Sequence, residues 1–222
     1  MKNILLLTAL MVTAVHGEPA SAALYVGGVS NPQAGGDGLM VTGGNWLTAG
    51  ATLDWEVDDL GGGLWHYKYT FNTNSSPETS HFILELSLGV TERDILNLDV
   101  TDQFGDVEVS FFDPGPGNPG LLGQIFGIKI DETVGNPLII EFDIRRAPVW
   151  GDFYAKGGST SFAYNAGFLA ADPANPPANG SLLDHILRPD TTNGIVPEAS
   201  SIAAWSICAA FGALVAYRRR RS

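Results

Sequence analysis

The stretch LWHYKYTF, from Leu64 to Phe71, alternates large apolar side chains with polar ones along its whole length. Because successive side chains of a β-strand point to opposite faces of a sheet, every second residue from Trp65 to Phe71 is predicted to face a core. The same alternation recurs in residues 82–88, with Phe82, Leu84, Leu86 and Leu88 inward, and in residues 138–145. Three strongly patterned strands of this kind indicate a sheet with one buried face.

Less regular runs of β-branched and aromatic residues predict further strands between stretches rich in Gly and Pro. Lys156-Gly157-Gly158-Ser159 predicts a tight hairpin, since glycine adopts positive φ without strain. About nine short strands with this punctuation predict an all-β fold, an antiparallel β-sandwich or jelly-roll-like ectodomain over residues 23–170. The less regular strands are expected at residues 52–57, 95–100, 107–112, 125–130, 149–156 and 160–168.

The composition changes after residue 170. Residues 171–196 are rich in Pro and Asn and are predicted to form a C-terminal segment and stalk. Within it, Ser181–Leu187 is expected to form a short helix, with Ser181 as N-cap and Asp184 three residues later.

Charge and composition exclude several classes of protein. The 222 residues include 12 Lys and Arg against 24 Asp and Glu, a formal net charge of −12, so no nucleic-acid partner is expected. A single cysteine, Cys208, excludes a disulfide scaffold and leaves the predicted ectodomain without a thiol nucleophile. A hydrophobic share of 45% is too high for a disordered chain.

The first 22 residues have the pattern of a secretory signal peptide. Lys2 precedes an apolar run over residues 4–15, and Ala20-Ser21-Ala22 is a small-x-small cleavage site. Cleavage is expected after Ala22. The alternative is an uncleaved N-terminal anchor.

The last residues of the sequence combine an apolar segment with a basic cluster. Residues 201–217 carry no charge and are predicted to form a transmembrane helix. Arg218, Arg219, Arg220 and Arg221 follow it and are expected to remain cytoplasmic, with the ectodomain outside. The alternative is an apolar helix that docks on the domain.

The order of these elements resembles a known sorting signal. Val196-Pro197-Glu198-Ala199-Ser200, then the apolar segment, then the arginines resemble the PEP-CTERM tail of exported bacterial proteins, here over residues 197–222. The family pattern is Pro-Glu-Pro, so the chain matches at Pro197 and Glu198 and departs at Ala199. The resemblance implies processing by an exosortase-type membrane enzyme. It also implies an inner-membrane intermediate, and then display at the cell surface or in an extracellular matrix, with exopolysaccharide as a potential partner.

A second resemblance covers much of residues 50–190. The segments 80–85, 146–158 and 163–168 are similar to exported bacterial proteins that share this ectodomain and often the same tail. That group has no assigned activity, so the resemblance implies one structural unit and no mechanism.

Candidate chemical sites in the ectodomain are few. His66, His81 and His185 are too far apart in sequence for a zinc motif, and His66 is expected to be a surface or locally hydrogen-bonded residue. Two acidic clusters are expected to be solvated edges or loops, with a carboxylate pair for glycoside hydrolysis or a structural Ca²⁺ site as alternatives. Asp102 and Asp106 are the weak Ca²⁺ candidates. The clusters are Asp54, Glu56, Asp58 and Asp59, and Asp99, Asp102, Asp106 and Glu108.

Three residues are candidates for contact with a ligand. Trp150, Asp152 and Tyr154 have the same parity along a predicted strand, so they are expected on one exposed face, where the aromatic rings could stack on sugars. Trp65 is instead expected in the core.

No nucleophile elbow or phosphate-binding glycine motif occurs in the sequence, so no catalytic residue is assigned and no enzyme activity is expected. No cofactor is expected beyond a structural Ca²⁺. The favoured function is that of an exported, membrane-sorted envelope or matrix protein with a non-catalytic β-sandwich ectodomain. A carbohydrate-binding module is the alternative, and a secreted carboxylate-dependent glycosidase is the weaker one.

Overall fold

A computed structural model describes residues 24–101, 104–131 and 135–193, which form thirteen strands and little helix. Within these ranges the single α-helix is α1 (Gly44–Ala49), and short 3-10 helices lie at Pro32–Ala34 and Glu92–Asp94. The strands are β1 (Leu24–Ser30), β2 (Leu39–Thr42), β3 (Thr52–Gly61), β4 (Leu64–Asn72), β5 (His81–Glu85), β6 (Leu96–Val100), β7 (Val107–Phe112), β8 (Ile125–Asp131), β9 (Leu138–Ile144), β10 (Arg146–Gly151), β11 (Phe153–Gly157), β12 (Ser161–Asn165) and β13 (Ile186–Asn193).

The strands form two sheets and a ribbon. The first sheet has the order β1-β3-β4-β9-β6, the second has the order β2-β12-β11-β5-β8-β7, and β10 pairs with β13 as a two-stranded ribbon. Every strand pair is antiparallel. The predicted all-β, antiparallel, sandwich-like fold is therefore confirmed.

One apolar core contains residues from both sheets and from the ribbon. Trp65, Tyr67, Tyr69 and Phe71 of β4 are buried as the alternation predicts, and so is every second residue of β9 from Leu138 to Ile144. Aromatic rings cross the core between the two sheets. Tyr67 stacks on Phe142 within the first sheet at a centroid distance of 5.5 Å, and Phe71 lies 6.3 Å from Phe82 of the second.

β5 differs from its predicted alternation. Phe82 and Leu84 face the core, but Ile83 is also fully buried, and Leu88 is 63% exposed beyond the end of the strand. Ile83 belongs to a second apolar cluster with Leu121 and Tyr154. The Pro- and Gly-rich loop 113–124 contributes to this cluster, and the Tyr154 hydroxyl donates to the Pro119 carbonyl at 2.7 Å. A distant loop therefore covers a face that alternation alone predicts to be exposed.

The predicted strand 149–156 is in fact two strands that belong to different sheets. β10 ends at Gly151 and pairs with β13, whereas β11 starts at Phe153 and pairs with β5 and β12. Asp152 lies at the break. The hairpin predicted at 156–159 is confirmed, because β11 and β12 pair from Gly157 with Ser161 and Gly158 has a φ of +59°.

The predicted helix over Ser181–Leu187 is wrong. Leu183 and Asp184 have positive φ values of 50° and 61°, and the Ser181 hydroxyl donates to the His185 carbonyl at 2.8 Å instead of capping a helix. β13 follows, and its Ile186 and Leu187 are fully buried in the core. Residues 186–193, expected as helix end and stalk, therefore belong to the ribbon.

Several predictions lie outside the described residues. They are the signal peptide with Ala20 and Ala22, the sorting residues Val196, Pro197, Glu198 and Ala199, the helix 201–217, and Arg218 to Arg221. Among the residues that the structure does describe, no helix has the length and apolar character needed to cross a membrane.

Candidate metal centre

Polar side chains from several strands meet where the chain leaves the ribbon and enters the second sheet. At this junction the Glu85 N–H donates to the Asp152 carbonyl at 3.0 Å, and the Asp152 N–H donates to Glu85 Oε2 at 2.8 Å. A strand that changes sheets leaves backbone groups without ladder partners, so these bonds replace lost strand pairing. They also hold the Glu85 carboxylate next to residue 152.

Asn165, the last residue of β12, fixes the Asp152 carboxylate. Its Nδ2 donates to Asp152 Oδ1 at 2.6 Å and to the Asp184 carbonyl at 2.9 Å, and its Oδ1 accepts from the Phe153 N–H at 3.0 Å. Asn165 is fully buried and Asp152 is 7% exposed. The Asp152 side chain is therefore oriented by a buried amide that two further hydrogen bonds hold in place.

Arg188 of β13 supplies the fixed positive charge. Its Nη2 lies 2.8 Å from Asp172 Oδ2 and 3.1 Å from Glu85 Oε1, and its Nη1 donates to the Ser87 hydroxyl at 2.5 Å. A Cβ at Gly151 would collide with the guanidinium and approach Glu85 Oε2 to 2.6 Å, so only glycine leaves room for this ion pair. Arg188 thus holds Asp172 through Oδ2, and Oδ1 of the same carboxylate faces His185.

His185 lies between the two aspartates and is fully buried. Its Nδ1 lies 2.9 Å from the Leu183 carbonyl, and because a carbonyl only accepts, Nδ1 carries the proton. Nε2 lies 3.8 Å from Asp152 Oδ1 and 3.8 Å from Asp172 Oδ1, and it forms no hydrogen bond with any residue that the structure describes. In the neutral ring, the Nε2 lone pair and two carboxylate oxygens therefore face one point.

The cluster contains more carboxylates than cationic groups. Burial raises the pKa of Glu85 to about 7, and Asp172 and Asp152 add to this shift, whereas Arg188 and the hydrogen bond from Asp152 oppose it. Burial likewise raises the pKa of Asp152 to about 6; the hydrogen bond from Asn165 and the charge of Arg188 oppose this shift, and Asp172 adds to it. One guanidinium does not compensate the ionised forms of three carboxylates, so the junction favours a further positive charge.

The three predicted ligand-facing residues do not form an exposed face. Trp150 is 1% exposed and Tyr154 is fully buried, so the prediction that their rings are available to a ligand is wrong. The reason is the break at Asp152, because Trp150 faces the main core while Tyr154 lies in the second cluster, to which the loop 113–124 contributes. Asp152 is also buried, but it joins the polar cluster.

The other candidate residues lie apart from this cluster. Asp106 is exposed and, within the described ranges, belongs to no group of three potential metal ligands; Asp102 lies outside those ranges. The Ca²⁺ site at these residues stays a prediction. His66 Nδ1 donates to Asp143 Oδ1 at 2.7 Å, which confirms it as a locally hydrogen-bonded residue.

Sequence reasoning did not identify Glu85, Asp172, His185 and Arg188 as neighbours of Asp152. These residues come from four separate places between residues 85 and 188, and their spacing along the sequence forms no recognisable motif. The sequence holds one weak signal of this cluster: Asp152 interrupts an otherwise apolar and aromatic strand pattern. A charged residue in such a pattern indicates a buried carboxylate whose partners come from other parts of the chain.

Comparisons with protein-family models, with curated proteins and with solved structures find no match to this chain.

Proposed function

We propose that this chain is an exported cell-envelope or extracellular-matrix protein, sorted through its PEP-CTERM-like tail and carrying a non-catalytic β-sandwich ectodomain. The observation that carries the proposal is the tripartite tail: the Pro197-Glu198 motif, the uncharged segment 201–217 and four arginines. The signal-like segment over residues 1–22 supplies the export step.

The position of the folded strands supports processing at both ends. β1 begins at Leu24, two residues after the expected signal cleavage at Ala22, and β13 ends at Asn193, before the motif at Val196. Removal of either terminal segment would leave every described strand intact. A sorting enzyme that cuts near Pro197 would therefore release a folded domain.

The carboxylates support a non-catalytic ectodomain. Glu85 and Asp172 bind the same guanidinium nitrogen of Arg188, so they are tied together on one cation instead of facing each other across a cleft. On the first sheet, Glu141 pairs with Lys68 at 2.9 Å, as expected for a solvated strand face. A glycosidase needs two carboxylates free to act on either side of a substrate bond.

The carbohydrate-binding alternative loses its main support. Four of the five tryptophans lie in the described ranges, and all four are at most 7% exposed. None offers the flat exposed ring on which a sugar stacks. The four are Trp46, Trp55, Trp65 and Trp150.

The sorting proposal is tested by expressing the full-length chain in a bacterium with an exosortase and locating it by fractionation. The wild type should reach the surface or medium with its C-terminus cut near Pro197, as read by mass spectrometry. A chain lacking residues 197–222, or carrying Pro197→Ala with Glu198→Ala, should not be cut. Pro176→Ala is the matched control, because Pro176 is exposed and lies outside the motif.

Ala199→Pro restores the family pattern and should increase the fraction of cut protein. The proposal is overturned if the truncated chain reaches the surface as efficiently as the wild type, or if the Pro197 and Glu198 variant is cut normally.

A further inference from the structure

We propose that Asp152, Asp172 and His185 bind one divalent transition-metal ion of the Zn²⁺ or Mn²⁺ class. The ligand atoms are Asp152 Oδ1, Asp172 Oδ1 and His185 Nε2. This site is separate from the sorting tail, and it belongs to the ectodomain itself.

The spacing of the three atoms suits a metal ion. Nε2 lies 3.8 Å from each carboxylate oxygen, and all three atoms lie within 4.8 Å of one another. A point equidistant from them is then about 2.1–2.5 Å from each, which at its lower end meets the Zn²⁺–nitrogen and Zn²⁺–oxygen distances of about 2.0–2.2 Å. No side chain has to move far to complete the coordination.

The lone pair on Nε2 is the feature that points to a ligand. Within the described part of the chain, Nε2 is buried without a hydrogen-bond partner, although a buried polar atom is normally satisfied. Its neighbours at 3.8 Å are both carboxylate oxygens, of which Asp152 Oδ1 also accepts from Asn165 Nδ2. A cation at the shared point would give Nε2 a partner and bind a further lone pair of each carboxylate oxygen.

The surrounding groups act as the second shell of a metal site. The Leu183 carbonyl holds the proton on Nδ1 and so presents Nε2 to the ion. Asn165 orients Asp152, and Arg188 binds the far oxygen of Asp172. Each ligand is thus positioned by a second residue, as in metal sites generally.

The donor set selects the kind of ion. Imidazole favours Zn²⁺ and similar first-row ions, whereas Ca²⁺ and Mg²⁺ prefer oxygen ligands alone. One imidazole and two carboxylates therefore favour Zn²⁺ or Mn²⁺ over Ca²⁺. The ion reaches the site from the side of Asp172, whose side chain is 34% exposed while His185 is fully buried.

The site is tested on the full-length chain, purified in detergent without a polyhistidine tag and stripped with a chelator. Calorimetric titration with Zn²⁺, and separately with Mn²⁺, should show one ion bound per chain, with Ca²⁺ binding much more weakly. Asp172→Asn should weaken Zn²⁺ binding at least about tenfold. Asp172 is the best residue to change, because its side chain is the most exposed of the three ligands.

Asp143→Asn is the matched control. Asp143 contacts an imidazole, His66, at 2.7 Å, yet it lies outside the proposed site, so this variant should bind Zn²⁺ like the wild type. Nitrogen-15 spectra of the imidazoles give a second measurement that does not depend on a variant. Added Zn²⁺ should shift the His185 Nε2 resonance while Nδ1 keeps its proton.

Three binding results would each overturn the proposal: no saturable binding of either transition metal, unchanged binding in Asp172→Asn, or loss of binding in Asp143→Asn alone. The proposal would also be overturned if the His185 ring carried protons on both nitrogens and its nitrogen-15 resonances did not shift when Zn²⁺ is added. That ring would be an imidazolium between two carboxylates. None of these results bears on whether the tail is cut near Pro197, so the two proposals fail separately.

Discussion

Buried His81 should make the ectodomain sensitive to acid. Its side chain is 5% exposed at the start of β5, and its ring lies 5.7 Å from that of Tyr154. Burial lowers the pKa of His81 from 6.5 to about 4; Lys129 and Lys156 add to the shift, while Asp131, 3.6 Å from Nδ1, opposes it. The folded state therefore keeps the imidazole neutral at a pH where the unfolded chain binds a proton.

The sign and size of the effect follow from proton linkage. Between pH 6.5 and 4 the unfolded state binds more protons at His81 than the folded state, so the free energy of unfolding falls as the pH falls. With these two pKa values, His81 lowers it by about 0.8 kcal/mol at pH 6, about 2 kcal/mol at pH 5 and about 3 kcal/mol at pH 4. Above pH 7 the contribution vanishes.

Urea unfolding followed by tryptophan fluorescence measures this effect, because the four tryptophans in the described ranges are buried and report loss of the core. The wild type is compared with His81→Gln at pH 7, 6, 5 and 4, with a chelator in every buffer. The difference in unfolding free energy between pH 7 and pH 4 should be about 3 kcal/mol smaller in the variant. His66→Gln is the control, since it leaves His81 in place, and equal pH dependence in wild type and His81→Gln would refute the reasoning.

Three further substitutions test the ribbon and the junction by the same urea assay. Trp150→Ala should lower the free energy of unfolding by about 3–5 kcal/mol, because it removes a fully buried indole; an unchanged stability would mean that Trp150 is exposed after all. Tyr69→Phe removes the 2.8 Å hydrogen bond from its hydroxyl to the Leu187 carbonyl and should lower it by about 1–2 kcal/mol. Gly151→Ala should lower it by about 1–3 kcal/mol, because the added methyl group displaces Arg188; a neutral result would show that the guanidinium has room to move.

The central strands β3, β4 and β9 of the first sheet could be predicted because each has one buried and one solvated face, whereas the edge strand β1 is not among the predicted strands. β4 and β9 show this pattern along their whole length, and there the alternation of side chains identifies the core residues correctly. β5 breaks the rule because it lies in the middle of the second sheet with both faces covered. The loop that contributes to its outer cover, 113–124, is about thirty residues away, and nothing in the local pattern of 82–88 indicates it.

The region around Asp152 could not be predicted for a different reason. Residues 149–156 read as one strand, since the apolar and aromatic pattern continues through the break. Only the partners show the division: β10 pairs with β13, and β11 pairs with β5 and β12. The helix predicted over residues 181–187 is wrong for another reason: the burial of Ile186 and Leu187 beside β10 outweighs the local helix signal.

The structural and metal-binding roles of the junction have one physical origin. A two-stranded ribbon is marginal alone, so β10 and β13 depend on contacts with the sheets, and the chain must cross from β10 to β11 at Asp152. The crossing leaves backbone N–H groups unpaired, and the side chains of Glu85 and Asn165 accept from them. Because the Glu85 carboxylate accepts from a buried N–H, it brings a negative charge into the interior. Arg188 offsets only part of the combined charge of Glu85, Asp152 and Asp172. The same crossing therefore places the buried Glu85 carboxylate beside the proposed ligands Asp152 and Asp172, where a divalent ion would offset their negative charge.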